Sequence, residues 1–178
     1  TQLQLDEIKE VLLGFTISQG RLPCPDNDND GAEDRTAGEC DTEMGNLPWS
    51  TLGVMSVDTW SNSFTYRVAE DFADDTVGTG CGTATLGVSI SLCSDGNITI
   101  LDSDGGANIA TLVPALVVSH GKNWAVSTSA DEAENTDGDD DFVDKDYSQT
   151  GGSEFDDMLI WISPHMLRNR MLMSGFLP

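Results

Sequence analysis

The chain has 178 residues, and its 31 acidic side chains outnumber 8 basic ones, which gives a net charge of −23. This length suffices for a single domain with an apolar core. Because so negative a surface repels phosphate backbones and anionic lipid, the composition argues against binding to nucleic acid or to a membrane surface.

Residues 2–19 are predicted to form an amphipathic helix. Its apolar side chains recur with a period of about 3.6 and form one stripe, made of Leu5, Ile8, Leu12 and Phe15. We assign these four residues to subunit packing, with the stripe fixing the helix on a sheet. Gly20 is typical of a helix end, and Pro23 and Pro25 force an extended path beyond it.

The segment 26–49 is predicted to be an irregular acidic loop. It contains the spacing D-x-D-x-D-G-x-x-D, formed by Asp26, Asp28, Asp30, Gly31 and Asp34. This spacing places carboxylates at alternate positions of a tight turn, and calcium prefers such all-oxygen ligand sets. We therefore predict a calcium site whose ligands are Asp26, Asp28, Asp30 and Asp34. The alternative is an Asx-turn loop, in which these side chains bind their own backbone.

Beyond residue 62 the patterns predict antiparallel strands, at 63–69, 86–92, 97–101, 112–119 and 155–162. The strands 86–92 and 97–101 are joined by Ser-Asp-Gly-Asn, which is typical of a hairpin turn. A long polar loop is predicted at 131–152, and a final helix follows Ser163 and ends at Gly175. One helix, a meander of strands and a closing helix indicate an α+β fold.

Four cysteines are present, and their spacings match no zinc pattern. Of the three pairings available we favour the sequential one, because Cys24–Cys40 and Cys81–Cys93 would each bracket one loop and stabilise it by roughly 2–4 kcal/mol. Such disulfides indicate an oxidising compartment, the periplasm or the cell exterior. The alternative is four buried free thiols.

Three segments carry a resemblance to a known family. They read GRLPCPDNDNDGAED from Gly20, CDTEMGNLPWSTLGV from Cys40 and DTWSNSFTYRV from Asp58. In this order they resemble the type IV pilin-like family of minor pilins and pseudopilins. The resemblance implies a single pilin-like roll, with an N-terminal helix packed on an antiparallel β-sheet and a short C-terminal helix. Its parts are the C-terminal half of the long pilin helix at 1–19, an αβ-loop at 20–62, and the sheet, acidic loop and final helix at 63–178.

The same resemblance implies a function. The chain is expected to be a structural subunit of a type IV pilus or of a type II secretion-like filament, with other pilin or pseudopilin subunits as partners. Family members begin with an apolar helix that anchors the precursor in the inner membrane, and no window here approaches the roughly 20 apolar residues such a helix requires. We therefore expect an N-terminally truncated domain that works in the periplasm or in an extracellular filament. The alternative is a secreted domain that never had this helix.

A second calcium site is implied by resemblance to the major pseudopilin of type II secretion. The segment SHGKNW at 119–124 resembles the first part of that site, and Asp157 lies in a segment that resembles the second. Asp157 would supply a side-chain ligand and His120 a carbonyl, while Asn123 stands where the family has aspartate. We include Asp131 from the intervening residues that could complete the shell, which are Asp131, Glu132, Glu134, Asn135, Asp137, Asp139 and Asp141. The alternative is a disordered acidic loop.

An enzyme is not expected. Ser119 lacks the G-x-S-x-G pattern of a nucleophile elbow, and it cannot pair with His120, because adjacent residues of a strand point to opposite faces. The alternative function is a calcium-dependent extracellular adhesin that binds a surface or carbohydrate ligand through 131–152. Arg168 and Arg170 in the final helix are expected to pair with local acids, or else to contact an acidic neighbouring subunit.

Overall fold

The computed structural model describes residues 1–74, 89–124 and 129–175. The helices in these ranges are Gln2–Gln19 (α1), Trp49–Leu52 (α2), Glu70–Ala73 (α3), Ala130–Glu134 (α4) and Pro164–Met173 (α5). The strands are Arg35–Thr36 (β1), Glu39–Cys40 (β2), Met44–Asn46 (β3), Thr65–Val68 (β4), Ile98–Leu101 (β5), Asn108–Val113 (β6), Ala115–Ser119 (β7), Asp141–Val143 (β8) and Met158–Ile162 (β9). None of the helices in these ranges combines the length and the apolar character that a bilayer crossing needs.

Helix α1 forms where its apolar period predicts it, and it packs against β9 and α5. Three residues of the predicted stripe are fully buried in the chain's own core, namely Leu5, Ile8 and Leu12. Burying a side chain of this kind contributes about 1.5–3 kcal/mol. Phe15 is only half-buried, and the guanidinium of Arg21 lies 5.4 Å from the centre of its ring. The stripe therefore fixes the helix on its own sheet, and Phe15 alone of the four reaches the surface.

The main sheet has the strand order β3-β4-β7-β9, and every neighbouring pair is antiparallel. All five residues of β7 are buried, because both faces of this sheet are covered. Ala115 and Val117 pack on the side of α1, while Leu116 and Val118 pack on the opposite side. The predicted strand 112–119 is divided at Pro114, which lacks the N–H that a continuous strand would need.

A second sheet, with the order β6-β5-β8, covers the face of the main sheet that is opposite to α1. Strand β5 pairs antiparallel with β6 and parallel with β8. The predicted hairpin is therefore wrong in its described part, since residues 89–92 form no strand and β5 pairs with a later segment. Residues 86–88 of that prediction lie outside the described ranges. The predicted single meander is replaced by several sheets.

This second sheet changes the environment of β4. Its alternation predicts a half-buried strand with Arg67 on the open face, but Arg67 is only 6% exposed. Its guanidinium lies 2.5 Å from Glu43 and also binds Asp140, the residue that precedes β8. A buried cation needs such partners, because an unpaired charge away from water is costly.

Two segments predicted as loops contain regular structure. The segment 26–49 holds β1, β2 and β3, and 131–152 holds most of α4 and all of β8. The final helix begins after Ser163 as predicted and ends at Met173. The Cys24–Cys40 disulfide is confirmed, whereas the predicted Cys81–Cys93 pair involves Cys81, which lies outside the described residues.

Candidate metal centre

The first acidic loop brings three of its four predicted ligands together. Carboxylate oxygens of Asp26, Asp28 and Asp34 lie within 4.8 Å of one another. Asp26 is fully buried, and a bridge between Asp26 and Asn46, at the end of β3, fixes its backbone. Asp30 does not belong to this group, although it lies in the same turn.

These carboxylates also bind the backbone of their own loop. The carboxylate of Asp26 accepts hydrogen bonds from the amides of Asn29 (2.7 Å) and Gly31 (2.8 Å). The carboxylate of Asp28 accepts a hydrogen bond from the amide of Asp30, and the carboxylate of Asp30 accepts one from the amide of Ala32. These are the contacts of the Asx-turn alternative. The loop is therefore ordered by its own hydrogen bonds before any cation is considered.

A second acidic group lies where α4 meets the start of β9. Carboxylate oxygens of Glu132, Asp156 and Asp157 lie within 4.8 Å of one another. Glu132 and Asp157 are only 4% and 7% exposed. Three carboxylates that are this well shielded from solvent repel one another strongly, because the low local dielectric weakens screening. We call this group the α4–β9 acid cluster.

Hydrogen bonds hold each member of this cluster in place. The fully buried Asn135 donates to Asp157 (2.8 Å) and to the carbonyl of Val143 in β8, and its oxygen accepts from the amide of Val143. Glu132 accepts from the amide of Asp156 (2.8 Å). The cluster is therefore tied to the second sheet through Asn135, and its geometry is set by the fold.

Two oxygen atoms at this cluster are buried and unsatisfied. Neither Oδ1 of Asn123 nor Oδ1 of Asp156 has a hydrogen-bond partner among the described residues. Burying an oxygen without a partner costs about 1–3 kcal/mol. The amide nitrogen of Asn123 already faces Glu132, at 3.2 Å from one oxygen. Three carboxylates, one of them with an unsatisfied oxygen, and the unsatisfied amide oxygen of Asn123 are the ligand atoms that a hard divalent cation prefers.

The titration of Asp156 reflects the same crowding. Burial raises the pKa of Asp156 above its ordinary value, and the nearby charges of Asp157 and Asp58 raise it further. The backbone amide of Lys122 donates to its carboxylate (3.0 Å) and acts in the opposite direction. Gly121 has a φ of +61°, and a Cβ there would overlap this carboxylate. Only glycine therefore allows the turn and the carboxylate to lie this close.

The predicted ligands of the second site are only partly assembled. Asp157 belongs to the cluster, and Asn123 contacts it through Glu132. The ring of His120 lies beside it, with Nδ1 at 3.7 Å from Asp157. Asp131 lies elsewhere, because it pairs with Lys145 and accepts a hydrogen bond from the amide of Asp104 (2.8 Å).

Sequence reasoning missed one residue of this cluster and left another undecided. Asp156 was not predicted, although it directly precedes the predicted Asp157. Glu132 was one of seven candidates among which the sequence offered no choice. Ser129 followed by Glu132 three residues later is the pattern of a capping box, and that signal would have placed Glu132 in the first turn of a helix.

Three further candidates lie outside this cluster. Glu134, Asp137 and Asp139 form an acidic group at the end of α4 in which the two aspartates are exposed. Ser119 donates to Asp58 (2.6 Å), while Nε2 of His120 is 2.7 Å from the hydroxyl of Thr65. Ser119 and His120 thus have different partners.

Comparisons of the chain with protein-family models, with curated proteins and with solved structures found no match.

Proposed function

We propose that this chain is the globular domain of a filament subunit, a minor pilin or pseudopilin of a type IV pilus or of a type II secretion-like filament. The observation that carries the proposal is the path of the chain. Helix α1 lies on one face of an antiparallel sheet. The chain then continues through Pro23 and Pro25 into a loop closed by the Cys24–Cys40 disulfide. This arrangement presents a helix on the outside of a folded head.

The exposed side of α1 supplies a surface for neighbouring subunits. Leu3 is 82% exposed, and Val11 and Phe15 are half-buried. Apolar side chains on the outside of a helix are stabilised when a partner covers them. In a filament, the partners that cover them are the helices of other pilin or pseudopilin subunits, and the precursor is anchored in the inner membrane before assembly.

The disulfide supports the proposed compartment. A loop-closing Cys24–Cys40 bond supports an oxidising environment, which for a filament of this kind is the periplasm and then the cell exterior. The high negative charge keeps such a domain soluble before it is assembled into the filament.

Calcium is proposed as the cation that stabilises the acidic loops. The α4–β9 acid cluster fits calcium best, because it combines three carboxylates, of which Asp156 has a buried, unsatisfied oxygen, with the buried, unsatisfied amide oxygen of Asn123. Glu132, Asp156 and Asp157 would bind the ion and Asn123 would turn its amide oxygen towards it. The group of Asp26, Asp28 and Asp34 is the weaker candidate, since none of its oxygens is buried without a hydrogen-bond partner and each of its carboxylates already accepts a backbone hydrogen bond. Calcium would supply the positive charge that offsets the mutual repulsion of the carboxylates.

The test of the filament role begins with the gene. The codons before Thr1 should encode a short basic leader, a cleavage glycine and an apolar helix of about 20 residues. The full-length product should then be found in sheared surface filaments or in the secretion filament fraction, with a methylated N-terminus. A conventional signal peptide directly before Thr1 contradicts the proposal.

A second candidate function is a calcium-dependent extracellular adhesin domain. It is favoured by a cavity with a volume of about 580 Å³, which is lined by part of the 131–152 segment and borders the α4–β9 acid cluster. A calcium ion at the cluster would hold this wall of the cavity in place. The two candidates can coexist, because a minor subunit of a filament can also bind a ligand.

A further inference from the structure

The cavity of about 580 Å³ lies between the turn before β4, the segment after β8 and the start of β9. Its volume falls within the range of about 300–1,000 Å³ that is typical of small-ligand sites. It is open to solvent on one side, and its walls come from segments that are far apart in sequence. The groups that line it determine which ligands it can bind.

Two aromatic rings at this cavity are exposed. Trp60 is 40% and Tyr147 is 66% exposed. Large rings usually lie in the core, as Phe64 and Phe155 do in this chain. An exposed indole and an exposed phenol on one cavity offer flat apolar faces together with an N–H and an O–H that can form hydrogen bonds.

The ring of Trp60 is presented by a rigid turn. The nearly buried carboxylate of Asp58 accepts hydrogen bonds from the amides of Trp60 (2.8 Å) and Asn62 (2.9 Å) and from the hydroxyl of Ser119 (2.6 Å). Ser119 ends the central strand β7, so the turn is fixed to the most buried strand of the main sheet. The indole is thus exposed without the freedom of a loose loop.

The segment that carries Tyr147 is held by backbone and side-chain contacts. The next residue, Ser148, exchanges two backbone hydrogen bonds of 2.9 Å with Phe155, and Lys145 pairs with Asp131 while its ammonium lies 5.4 Å from the centre of the Phe155 ring. The phenolic oxygen accepts a hydrogen bond from the amide of Gln149. Because the backbone that carries each ring is held in advance, a ligand that stacks on the two rings loses little of its affinity to ordering the protein.

Polar groups complete the lining. Gln2 and Gln149 each offer an amide that can donate and accept, Lys122 offers an ammonium, and Asp144 and Asp146 offer carboxylates. Burial raises the pKa of Asp144 above its ordinary value, and the neighbouring charge of Asp146 adds to this effect. Such a mixture of donors and acceptors beside aromatic faces matches a ligand that carries hydroxyl groups around apolar C–H faces.

We propose that this cavity binds a short neutral oligosaccharide, with Trp60 and Tyr147 stacking on sugar rings and the amides and carboxylates binding hydroxyl groups. The carboxylates of the lining, together with the charge of −23 on the whole chain, repel anionic sugars and also a second copy of this chain. The inference rests on the second candidate function, ligand binding, and it is independent of the filament role.

The probes for the test are cellotriose, maltotriose and N,N′,N″-triacetylchitotriose, with trigalacturonate as an anionic comparison. Calorimetric titration in calcium should show a Kd of about 1 mM or tighter for at least one neutral trisaccharide. Trp60→Ala and Tyr147→Ala should each weaken binding by about tenfold or more. Trp124→Ala is the matched control, because Trp124 is 55% exposed but lies outside this cavity, and it should leave the Kd unchanged.

Each other result overturns the proposal. These results are no binding of any neutral trisaccharide, binding that both ring variants retain, or a preference for trigalacturonate. Sedimentation shows whether the cavity is instead a contact between protein molecules. In that case the wild type self-associates and binds no trisaccharide, and a ring variant loses the self-association. If Trp60→Ala lowers the melting midpoint, the binding measured for Tyr147→Ala tests the proposal, because Tyr147 is the more exposed ring and its removal should disturb the fold less. Incorporation of the same variants into filaments is measured separately and reports on the filament role alone.

Discussion

The guanidinium of Arg67 lies 2.5 Å from the carboxylate of Glu43, beneath the second sheet and within the folded head. Arg67 also binds Asp140, and the amide of Asn97 donates to both carboxylates. Arg67 therefore joins β4 to Glu43, which directly precedes β3, and to Asp140, which directly precedes β8. Glu70 also shares a hydrogen bond with Glu43.

We expect Arg67→Ala to lower the free energy of unfolding by roughly 2–4 kcal/mol, because Glu43 and Asp140 would remain close together without their cation. The effect falls short of a fully buried pair because the Asp140 side chain is 43% exposed. Urea unfolding monitored by circular dichroism measures it. Arg170→Ala is the control, since its pair with Glu10 is exposed and should contribute less than about 1 kcal/mol. Equal losses in the two variants would contradict this account.

The pH dependence of stability should report on Glu70. Its hydrogen bond with Glu43, followed by burial and by the charges of Glu43 and Asp74, raises the pKa of Glu70 from 4.5 to about 7. The folded protein therefore holds a proton that the unfolded chain releases above pH 4.5. This contribution to stability is present below pH 4.5 and is lost as the pH rises to about 7.

Glu70→Gln should remove this part of the pH dependence, because glutamine keeps the hydrogen bond without titrating. Melting midpoints of the wild type and the variant, measured at half-unit steps from pH 4 to pH 8, should converge at low pH and separate at high pH in favour of the variant. Glu7→Gln, at an exposed site on α1, controls for the loss of one negative charge. A constant difference across the range would show that Glu70 does not titrate there.

Removing the Cys24–Cys40 disulfide should destabilise the chain by roughly 3 kcal/mol, since the two cysteines are 16 residues apart and the bond restricts the unfolded chain. The double variant Cys24→Ser/Cys40→Ser is compared with the wild type by urea unfolding. Asp74 accepts a hydrogen bond from the amide of Cys40 (2.7 Å) and should still hold this part of the loop. The native circular dichroism spectrum should therefore survive, and loss of the whole fold is the result that this account does not allow.

Calcium should raise the melting midpoint, because a ligand that binds only the folded state stabilises it, by about 2.7 kcal/mol at one hundred times Kd. Asp157→Asn should abolish most of this increment. In chelator the same variant should be at least as stable as the wild type, since it relieves repulsion from Glu132 and Asp156.

Asp28→Asn is the matched variant in the first acidic loop, and it distinguishes the two groups of carboxylates. If calcium binds the α4–β9 acid cluster, Asp28→Asn keeps the increment. Identical melting of the wild type in calcium and in chelator would remove calcium from the proposal.

Sequence reasoning succeeded where a local pattern decides the structure. The period of α1, the alternation of β4 and the start of α5 after Ser163 all depend on neighbouring residues. It failed at the second sheet, because β6 exposes four of its six residues and therefore lacks the apolar pattern of a strand. Since the sheet was not predicted, neither was the burial of Arg67.

The α4–β9 acid cluster shows the same limit. Glu132 and Asp156 are 24 residues apart, and only the packing of α4 beside the start of β9 brings their carboxylates together. Acidic side chains were so abundant in 131–157 that their number gave no guide to which of them meet. The helix α4 itself was hidden by its polarity, although its first turn carries a capping-box pattern.

The ring of Trp49 lies so close to Gly31 that a Cβ on this glycine would overlap the indole, and Gly31 has a φ of +87°. Gly31 also accepts backbone hydrogen bonds from Ser50 (2.8 Å) and Thr51 (3.2 Å) at the start of α2. The turn at residues 26–34 is thus fixed to this short helix by packing and by hydrogen bonds. Random mutagenesis of the loop should find the exposed Asp28 and Asp30 replaceable and Gly31 intolerant of substitution, which would make a glycine more constrained than the acidic side chains on either side of it.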